Sequence, residues 1–528
     1  MPTVTANHRR WPFAFLAVIV ALGGLIATSA FAPYGAWPMA IVAVAALTWT
    51  VRAASGLRAA LALGWFFGLT FMGTSLHWQT SIMTASYLGL TLVTSLLYLA
   101  IGAGLALTRQ LPLWPLWAAA IWTSGEAILA VWPFDGFMWM RLGYAAVDSP
   151  VAGYYPFLGA AFASFVLAGM GALVASTLEV RTVRRVGGVT ASIVGTLAVG
   201  LAGIGWMPPD TSAGTINVGW VQGGAPGGGI YGLGPARTIT RNQAEETASL
   251  LEAVAAGEYP EPAFIVWPEN STDLDPRSDG PTRALVDSTV AAADRPILVG
   301  AVYLGPGLDE RQTVSVWWTP EGPQEIYEKR NLVPFGEWIP LRSVLLPLIP
   351  PLRYVGAQGV PGTQPGVIQA PLGEGRSLRL GVAICYEVIY PPTLVEASTG
   401  ADLLTVVSSN AMYQGTAQID QQFAATRVRA AEMRRDILVV TTSGVSGRIG
   451  PRGETLWTAP DSVSASGVEN MPLGHPVTPA MTLAGPAEAG LAGLGLVGVG
   501  LGLIRKVRVR RGGRMDTDVS GTPRAGEE

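Results

Sequence analysis

The chain has 528 residues, of which 49% are hydrophobic and 13% charged, with 17 tryptophans. That is too apolar for an ordinary soluble protein and places a large part of the chain in a membrane. The formal net charge of −3 says little about partners, because the charges are unevenly spread, and nothing in the pattern points to nucleic acid.

Taken in order, seven apolar stretches approach the roughly 20 residues needed to span a bilayer: 12–32, 37–51, 59–78, 87–108, 115–134, 157–178 and 186–207. An eighth, 481–504, follows a long polar interval. The second is short and the fifth is interrupted by Glu126. The first follows His8, Arg9 and Arg10, but it is long for a signal-peptide core, lacks a small-x-small cleavage site and is followed at once by another span. It is read as a membrane helix. The expected organisation is a seven-span membrane domain over 11–207, a separate domain over 208–480, a final span over 481–504, and a basic, then disordered, cytoplasmic tail over 505–528.

Arg9 and Arg10, Arg52 and Arg58, Arg109, then Arg181, Arg184 and Arg185 lie on alternate connections, and the intervening short loops offer only Arg141. Arg505, Lys506, Arg508, Arg510 and Arg511 follow the last span. Short loops rich in Lys and Arg mark the cytoplasmic side, so both termini are expected inside and 208–480 outside.

In the outer region, short apolar runs at 215–222, 263–267, 296–303, 314–318, 379–385, 403–407 and 437–441 alternate in part with helical patterns at 237–256, 281–293 and 418–435. This is an α/β domain with mixed sheets. It contains no glycine-rich phosphate loop and no metal-ligand spacing.

The only cysteine, Cys385, sits in LGVAICYEVIYP at 380–391, where a Val/Ile/Leu-rich run ends: a buried strand feeding a turn. Strand ends of this kind face the crevice where α/β proteins bind ligands. A lone cysteine forms no internal disulfide, and by itself it reads equally as a small buried hydrophobe. As a nucleophile it needs a base. The three histidines, His8, His77 and His475, lie outside the α/β core, which leaves carboxylates and lysines. AFIVWPENS at 263–271 ends a strand in Glu269 just past a proline, and IYEKRNLVPFGEWIP at 326–340 places Lys329 a few residues past a strand-like run. A desolvated glutamate can take a thiol proton, and a lysine favours the thiolate and can stabilise an oxyanion. A surface Glu–Lys pair is the plainer alternative.

A strand ending in PEN, a later EKRNLVPFGEWIP and a later CYE, in that order, resemble the nitrilase or carbon–nitrogen hydrolase superfamily. The resemblance implies a four-layer α-β-β-α sandwich, with Glu269 as general base, Lys329 as oxyanion-stabilising cation and Cys385 as nucleophile. Such a domain with seven spans before it and one after is similar to the apolipoprotein N-acyltransferase family, over about residues 11–505. FAPYGAWP at 31–38, GTSLHW at 73–78, Glu126, GFMWMRLGY at 136–144 and VQGGAP at 221–226 agree with that family.

The same resemblance implies supporting roles for Glu337, Tyr386 and Glu387, with Glu387 either acting directly or orienting Lys329 through an ion pair. It implies substrate contacts at Tyr231, Trp338, Asn410 and Tyr413. Two stretches depart from the pattern: Tyr231, in GGAPGGGIYGLG, stands where the family usually has tryptophan, and SNAMYQG at 409–415 lacks the acid and tryptophan of an SNDAWFG-like run. His77 and Trp78 also read as interfacial anchors, and Glu126 as a partner for another helix or a water-filled cavity.

The activity so implied is transfer of an acyl chain from a phospholipid, through a cysteine thioester, to the α-amino group of the N-terminal diacylglyceryl-cysteine of apolipoproteins. It needs no metal or organic cofactor, and it sets a multi-pass protein in the bacterial cytoplasmic (inner) membrane with its catalytic domain on the outer face. A membrane-tethered amidase or nitrilase-type hydrolase is the competing enzyme reading; a polytopic receptor or transporter with an unreactive Cys385 is the non-enzymatic one. The stretch 333–356 is too apolar for a solvated loop and too proline-rich for a long helix. Phe335, Trp338, Leu345, Leu346, Leu348 and Ile349 are expected either to pack on their own domain or to lie at the bilayer surface and gate lipid entry.

Overall fold

The computed structural model describes residues 11–179, 182–206, 210, 212–229 and 232–518. The seven N-terminal apolar stretches form helices α1 (Phe13–Ser29), α2 (Pro38–Ala53), α3 (Leu57–Ser75), α4 (Thr84–Thr108), α5 (Trp114–Leu129), α6 (Tyr155–Glu179) and α7 (Val183–Trp206). Prolines set several starts: Pro38 and Pro115 occupy the first turns of α2 and α5, where a missing N–H costs nothing. Close approach comes from small residues. Gly64 of α3 and Gly102 of α4 face each other, and a Cβ on Gly64 would lie 2.1 Å from the Tyr98 carbonyl oxygen. Five helices of the described chain, α3, α4, α6 with its preceding turn, α7 and the last one, are long and apolar enough to cross a membrane. Val199 and Leu201 on α7 are 61% and 62% exposed, and side chains bared on that scale belong in lipid.

The α/β domain follows as β1 (Thr215–Gln222), α8 (Thr238–Ala255), β2 (Phe264–Val266), α9 (Gly280–Ala293), β3 (Ile297–Leu304), β4 (Glu310–Thr319), β5 (Gly322–Glu328), α10 (Arg342–Leu348), β6 (Gln358–Gly359), β7 (Val367–Gly373), β8 (Arg376–Ile384), α11 (Pro391–Ser398), β9 (Leu403–Ser408), α12 (Ala417–Met433), β10 (Ile437–Thr441), β11 (Gly447–Ile449), β12 (Thr455–Thr458) and β13 (Ala465–Pro472). One sheet runs β13-β1-β2-β3-β4-β5, with β6 on β4, and the other runs β12-β11-β10-β9-β8-β7. The centres, β1-β2-β3 and β8-β9-β10, are parallel and the edges antiparallel.

Val218, Phe264, Leu298, Trp317 and Tyr327 of the first sheet interlock with Ile368, Leu380, Val382, Leu403 and Leu438 of the second. Leu250 of α8 and Val286 and Val290 of α9 cover the outer face of the first sheet. The other outer face carries α11 and α12, and there the α-β-β-α sandwich meets the membrane domain. Ala425 and Val428 of α12, Val406 of β9 and Val439 of β10 belong to one continuous core with Leu97, Trp139 and Tyr155.

The last helix, α13 (Pro479–Asp518), outruns the expected span over 481–504; residues 519–528 lie outside the described part. Once a long apolar helix exists, each further residue adds a hydrogen bond without a new nucleus, and Arg, Lys and Met propagate it well.

Candidate active site

Three polar groups converge where strands of both sheets end. β2 stops at Val266, Pro268 breaks the ladder, and Glu269 follows with its side chain 3% exposed. Only glycine fits beneath this turn, because a Cβ on Gly300 of β3 would lie 2.0 Å from the Pro268 carbonyl oxygen. Just beyond β5, the Lys329 amide donates to the Thr313 carbonyl (2.8 Å), so the residue stays in register with β4 while its side chain, 1% exposed, turns inward. Its Nζ donates to Glu269 Oε1 and to Glu337 Oε1, each at 2.8 Å. The second oxygens are held too: Glu269 Oε2 accepts from the Ser409 amide (2.9 Å) and Glu337 Oε2 from the Val333 amide (2.7 Å). Burial alone would lower the Lys329 ammonium pKa, but the two carboxylates outweigh it and hold the pKa well above the usual lysine range.

Cys385 begins the tight turn after β8 in a left-handed conformation, φ 52°. A side chain other than glycine there is strained, and such strain is characteristic of reactive positions. Its thiol is half-buried and lies 4.0 Å from Gln422 Oε1. Burial first and the Glu269 charge second raise the thiol pKa, Lys329 opposes them, and the balance leaves it pushed up to about 12. The carboxylates of Glu269 and Glu337 with one ammonium already sum to −1, so a thiolate formed by losing its proton to solvent would add to an existing excess of negative charge.

Glu387 makes no ion pair with Lys329. Its Oε1 accepts from the Tyr327 hydroxyl (2.8 Å) and the Arg330 amide (2.7 Å), and its Oε2 from the Ile384 amide (2.7 Å). It therefore ties the end of the lysine strand to the end of the cysteine strand through backbone donors. Burial raises its carboxyl pKa, and these donors limit the rise. Tyr386 faces the other way: its ring stacks on Trp139 and Phe137 of the membrane domain, 6.3 Å between centroids in each case.

Of the expected substrate contacts, Tyr413 is half-buried, edge-on to Trp78 at 5.4 Å, and its phenol pKa is raised by burial and then by Cys385. Asn410 is buried and donates to Gln418 (2.9 Å) and Gln422 (3.0 Å). Trp338 is half-buried beside Phe134 (6.5 Å). Tyr231 lies outside the described residues. Trp78 is not an interfacial anchor: it is 7% exposed, and its indole N–H, like that of Trp139, donates to Gln421 Oε1 (3.0 and 2.7 Å). Glu126 receives the Trp122 indole (2.9 Å) and the Leu142 amide (2.7 Å), which fixes the loop carrying Trp139.

The α12 glutamines escaped the sequence reading. Gln418, Gln421 and Gln422 recur at three- and four-residue spacing on a face that a helix of ordinary amphipathicity would fill with apolar side chains, and that was the available signal. Two turns further on, Arg429 donates to the Val388 carbonyl (3.0 Å) and the Tyr144 hydroxyl (2.8 Å) and pairs with Glu432, which accepts from the Ala160 amide of α6 (2.7 Å). Among the described residues, no group of three His, Cys, Asp or Glu is arranged to hold a metal.

Fold and site together define a membrane-embedded protein with a carbon–nitrogen hydrolase domain seated on its helices. The sequence matches the models for the apolipoprotein N-acyltransferase N-terminal domain over residues 23–173 and for carbon-nitrogen hydrolase over residues 260–474. It is 32% identical to apolipoprotein N-acyltransferase of Mycolicibacterium smegmatis, covering 83% of this chain and 77% of that protein. With the Pseudomonas putida enzyme of the same name it shares 27% identity over 85% and 89% of the two chains. The chain belongs to the apolipoprotein N-acyltransferase family. A likeness to an amidase variant from Nesterenkonia sp. AN1, with 13% identity, a TM-score of 0.34 and coverage of 50% of this chain and 92% of that one, says nothing about chemistry.

Proposed function

We propose that this protein N-acylates lipoproteins, taking the acyl chain from a membrane phospholipid onto Cys385 and passing it to the α-amino group of a diacylglyceryl-modified N-terminal cysteine. The observation that supports this best is a thiol on a strained turn, facing a buried Glu269–Lys329–Glu337 cluster, whose next residue packs directly on the membrane helices' loop.

In this reading Glu269 takes the thiol proton as Sγ attacks the ester carbonyl carbon. The transfer is internal, so the net charge of the cluster does not change, whereas ionisation to solvent would make it more negative. The tetrahedral oxyanion is met by the Lys329 ammonium and the Tyr386 amide. Collapse breaks the ester C–O bond, Glu269 returns the proton to the departing alkoxide, and a lysophospholipid leaves. The acceptor amine then attacks the thioester, Glu269 removes its proton and passes it to the departing sulfur, and the amide is complete. Glu337 holds Lys329, and Glu387 holds the two strand ends together.

Intact-mass analysis after incubation with phospholipid should show one acyl chain on Cys385, released by a diacylglyceryl-cysteinyl peptide and only slowly by water. Rapid release by water would favour the hydrolase, and no adduct at all the receptor or transporter. The arginine-bearing loops support an inner-membrane protein with its catalytic domain outside. Cysteines introduced on the surface of α8 and α9, in a Cys385→Ala background, should then react with an impermeant maleimide in intact cells. Labelling only after permeabilisation would reverse the orientation.

A further inference from the structure

At the end of the membrane domain remote from the crevice, the start of α3, the end of α4 and the far part of α13 enclose a cleft of about 260 Å³. Arg505 stands 26 residues along α13 from Pro479, about 39 Å of helix, enough to cross the hydrocarbon core to the opposite interface. Arg109, Arg505 and Lys506 line the cleft, and no carboxylate does. Two of the three cations are held in place: an Arg109 N–H donates to the Ala54 carbonyl (3.0 Å) and an Arg505 N–H to the Gln110 carbonyl. Each of these guanidiniums makes that one hydrogen bond among the described residues, and Lys506 has neither a hydrogen-bond nor an ion-pair partner there. Leu57, Ala106 and Leu107 form the apolar part of the lining. Beside it, Leu503 and Ile504 of α13 are bare, 47% and 52% exposed.

We infer that this cleft binds the headgroup of one anionic phospholipid in the leaflet opposite the catalytic domain. Three neighbouring cations, two of them held in place and none with a counter-charge in the cleft, repel one another, and a phosphate between them removes that cost while using the spare guanidinium donors. Basic pockets between membrane helices recognise anionic lipids in this way. The lipid, rather than free phosphate, follows from the apolar lining and the bare α13 side chains next to it, which would lie along its acyl chains. Such a lipid would clamp α13 to α4 at the far end of the helix whose near end, at Thr478, donates to the Glu432 carbonyl of α12 (2.6 Å).

Native mass spectrometry of the full chain in detergent, titrated with phosphatidylglycerol and with phosphatidylcholine, tests this. The wild type should retain one phosphatidylglycerol in preference to phosphatidylcholine. Arg505→Gln/Lys506→Gln should weaken that retention roughly 30-fold, from about 1 kcal/mol per removed cation. Lys506→Gln, which leaves the Arg505–Gln110 contact intact, should lose part of it. Acyl loading of Cys385 should be unchanged in both variants, which separates this site from donor binding in the crevice. Equal retention of the two lipids by the wild type, or undiminished phosphatidylglycerol retention by the double variant, would overturn the proposal. Displacement of the lipid by millimolar inorganic phosphate would overturn it in favour of a soluble-anion site.

Discussion

The two walls of the crevice are built on different principles. The first sheet supplies Glu269, Lys329 and Glu337, which fix one another by ion pairs and borrow backbone amides from Ser409 and Val333. The second supplies Cys385, whose thiol makes a long hydrogen bond, 4.0 Å, to Gln422, and whose flanking turn is held from outside. Tyr386 lies on Trp139 and Phe137, Gln421 binds both tryptophans, and Arg429 reaches Val388 and Tyr144. The charged wall is thus set within the α/β domain, while the position of Cys385 depends on the membrane domain as well. An enzyme whose donor arrives through lipid can in this way couple its thiol to the surface from which the lipid comes.

The largest effect should come from the weakly held wall. Cys385→Ala should abolish acyl loading, and Cys385→Ser should nearly do so, because a carboxylate base cannot readily ionise an alcohol. Wild-type N-acylation by Cys385→Ala would remove the thioester route entirely.

Next come the charged residues, where two readouts should move in opposite directions. Glu269→Gln removes the base, so acyl loading should stop. It also removes a negative charge that raises the thiol pKa, so the pKa should fall and alkylation of Cys385 by a small reagent at neutral pH should speed up. In the wild type, with the pKa near 12, alkylation should climb about tenfold per pH unit from 7 to 9 without reaching a plateau. Lys329→Ala should cost at least about 100-fold in acyl loading and slow alkylation as well. If Glu269→Gln lowered both rates, Glu269 would be holding the crevice together rather than acting as its base.

Glu387→Ala should test the link between the walls. It strands the Ile384 and Arg330 amides and the Tyr327 hydroxyl, and losing such buried partners costs at least about 2 kcal/mol. The thermal inactivation temperature and acyl loading should therefore fall together, with Glu387→Gln partly rescuing both. Loss of activity at unchanged stability would instead mark Glu387 as a group that meets the substrate.

The strand-end residues Glu269 and Cys385 were legible because central parallel strands, buried on both faces, read as unbroken apolar runs, whereas Lys329, which follows the antiparallel edge strand β5, stood out by the EKRNLVPFGEWIP stretch around it. β11, β12 and β13 were not, since an antiparallel edge strand such as ASGVENMP has no apolar run to show. Helix α12 was found, but its glutamines were passed over, because the partners of Gln421, Trp78 and Trp139, lie far away in sequence. Trp78 misled for a related reason: an amphipathic indole next to a span looks the same whether it meets headgroups or a second domain.

Trp139→Leu sharpens the contrast from the membrane side. It removes the stack on Tyr386 and one indole bond to Gln421 without touching a charge, so acyl loading should slow about tenfold with its pH dependence unchanged. A changed pH profile would mean that the membrane domain also sets the charged wall.

The smallest effect should depend on the donor. Residues 333–356 include α10 and a following short turn, and no side chain of α10 is buried; Leu341 just before it and Val344 and Leu348 within it are 69%, 54% and 71% exposed. The segment is anchored at one end, where Glu337 binds Lys329 and where Phe335 and Trp338 meet Phe134 of the α5–α6 loop. It therefore joins the charged wall to the membrane-domain rim by an apolar surface that water would not favour. If that surface rests on the bilayer and admits lipid, replacing Leu345, Leu346 and Ile349 with Ser should slow loading from bilayer phospholipid severalfold. Loading from a short-chain soluble ester should stay near the wild-type rate, because these residues lie beyond Glu337 and leave its bonds to Lys329 and Val333 intact. Equal slowing with both donors would mean that the segment only braces Glu337, and no slowing with either would leave lipid entry to another part of the rim.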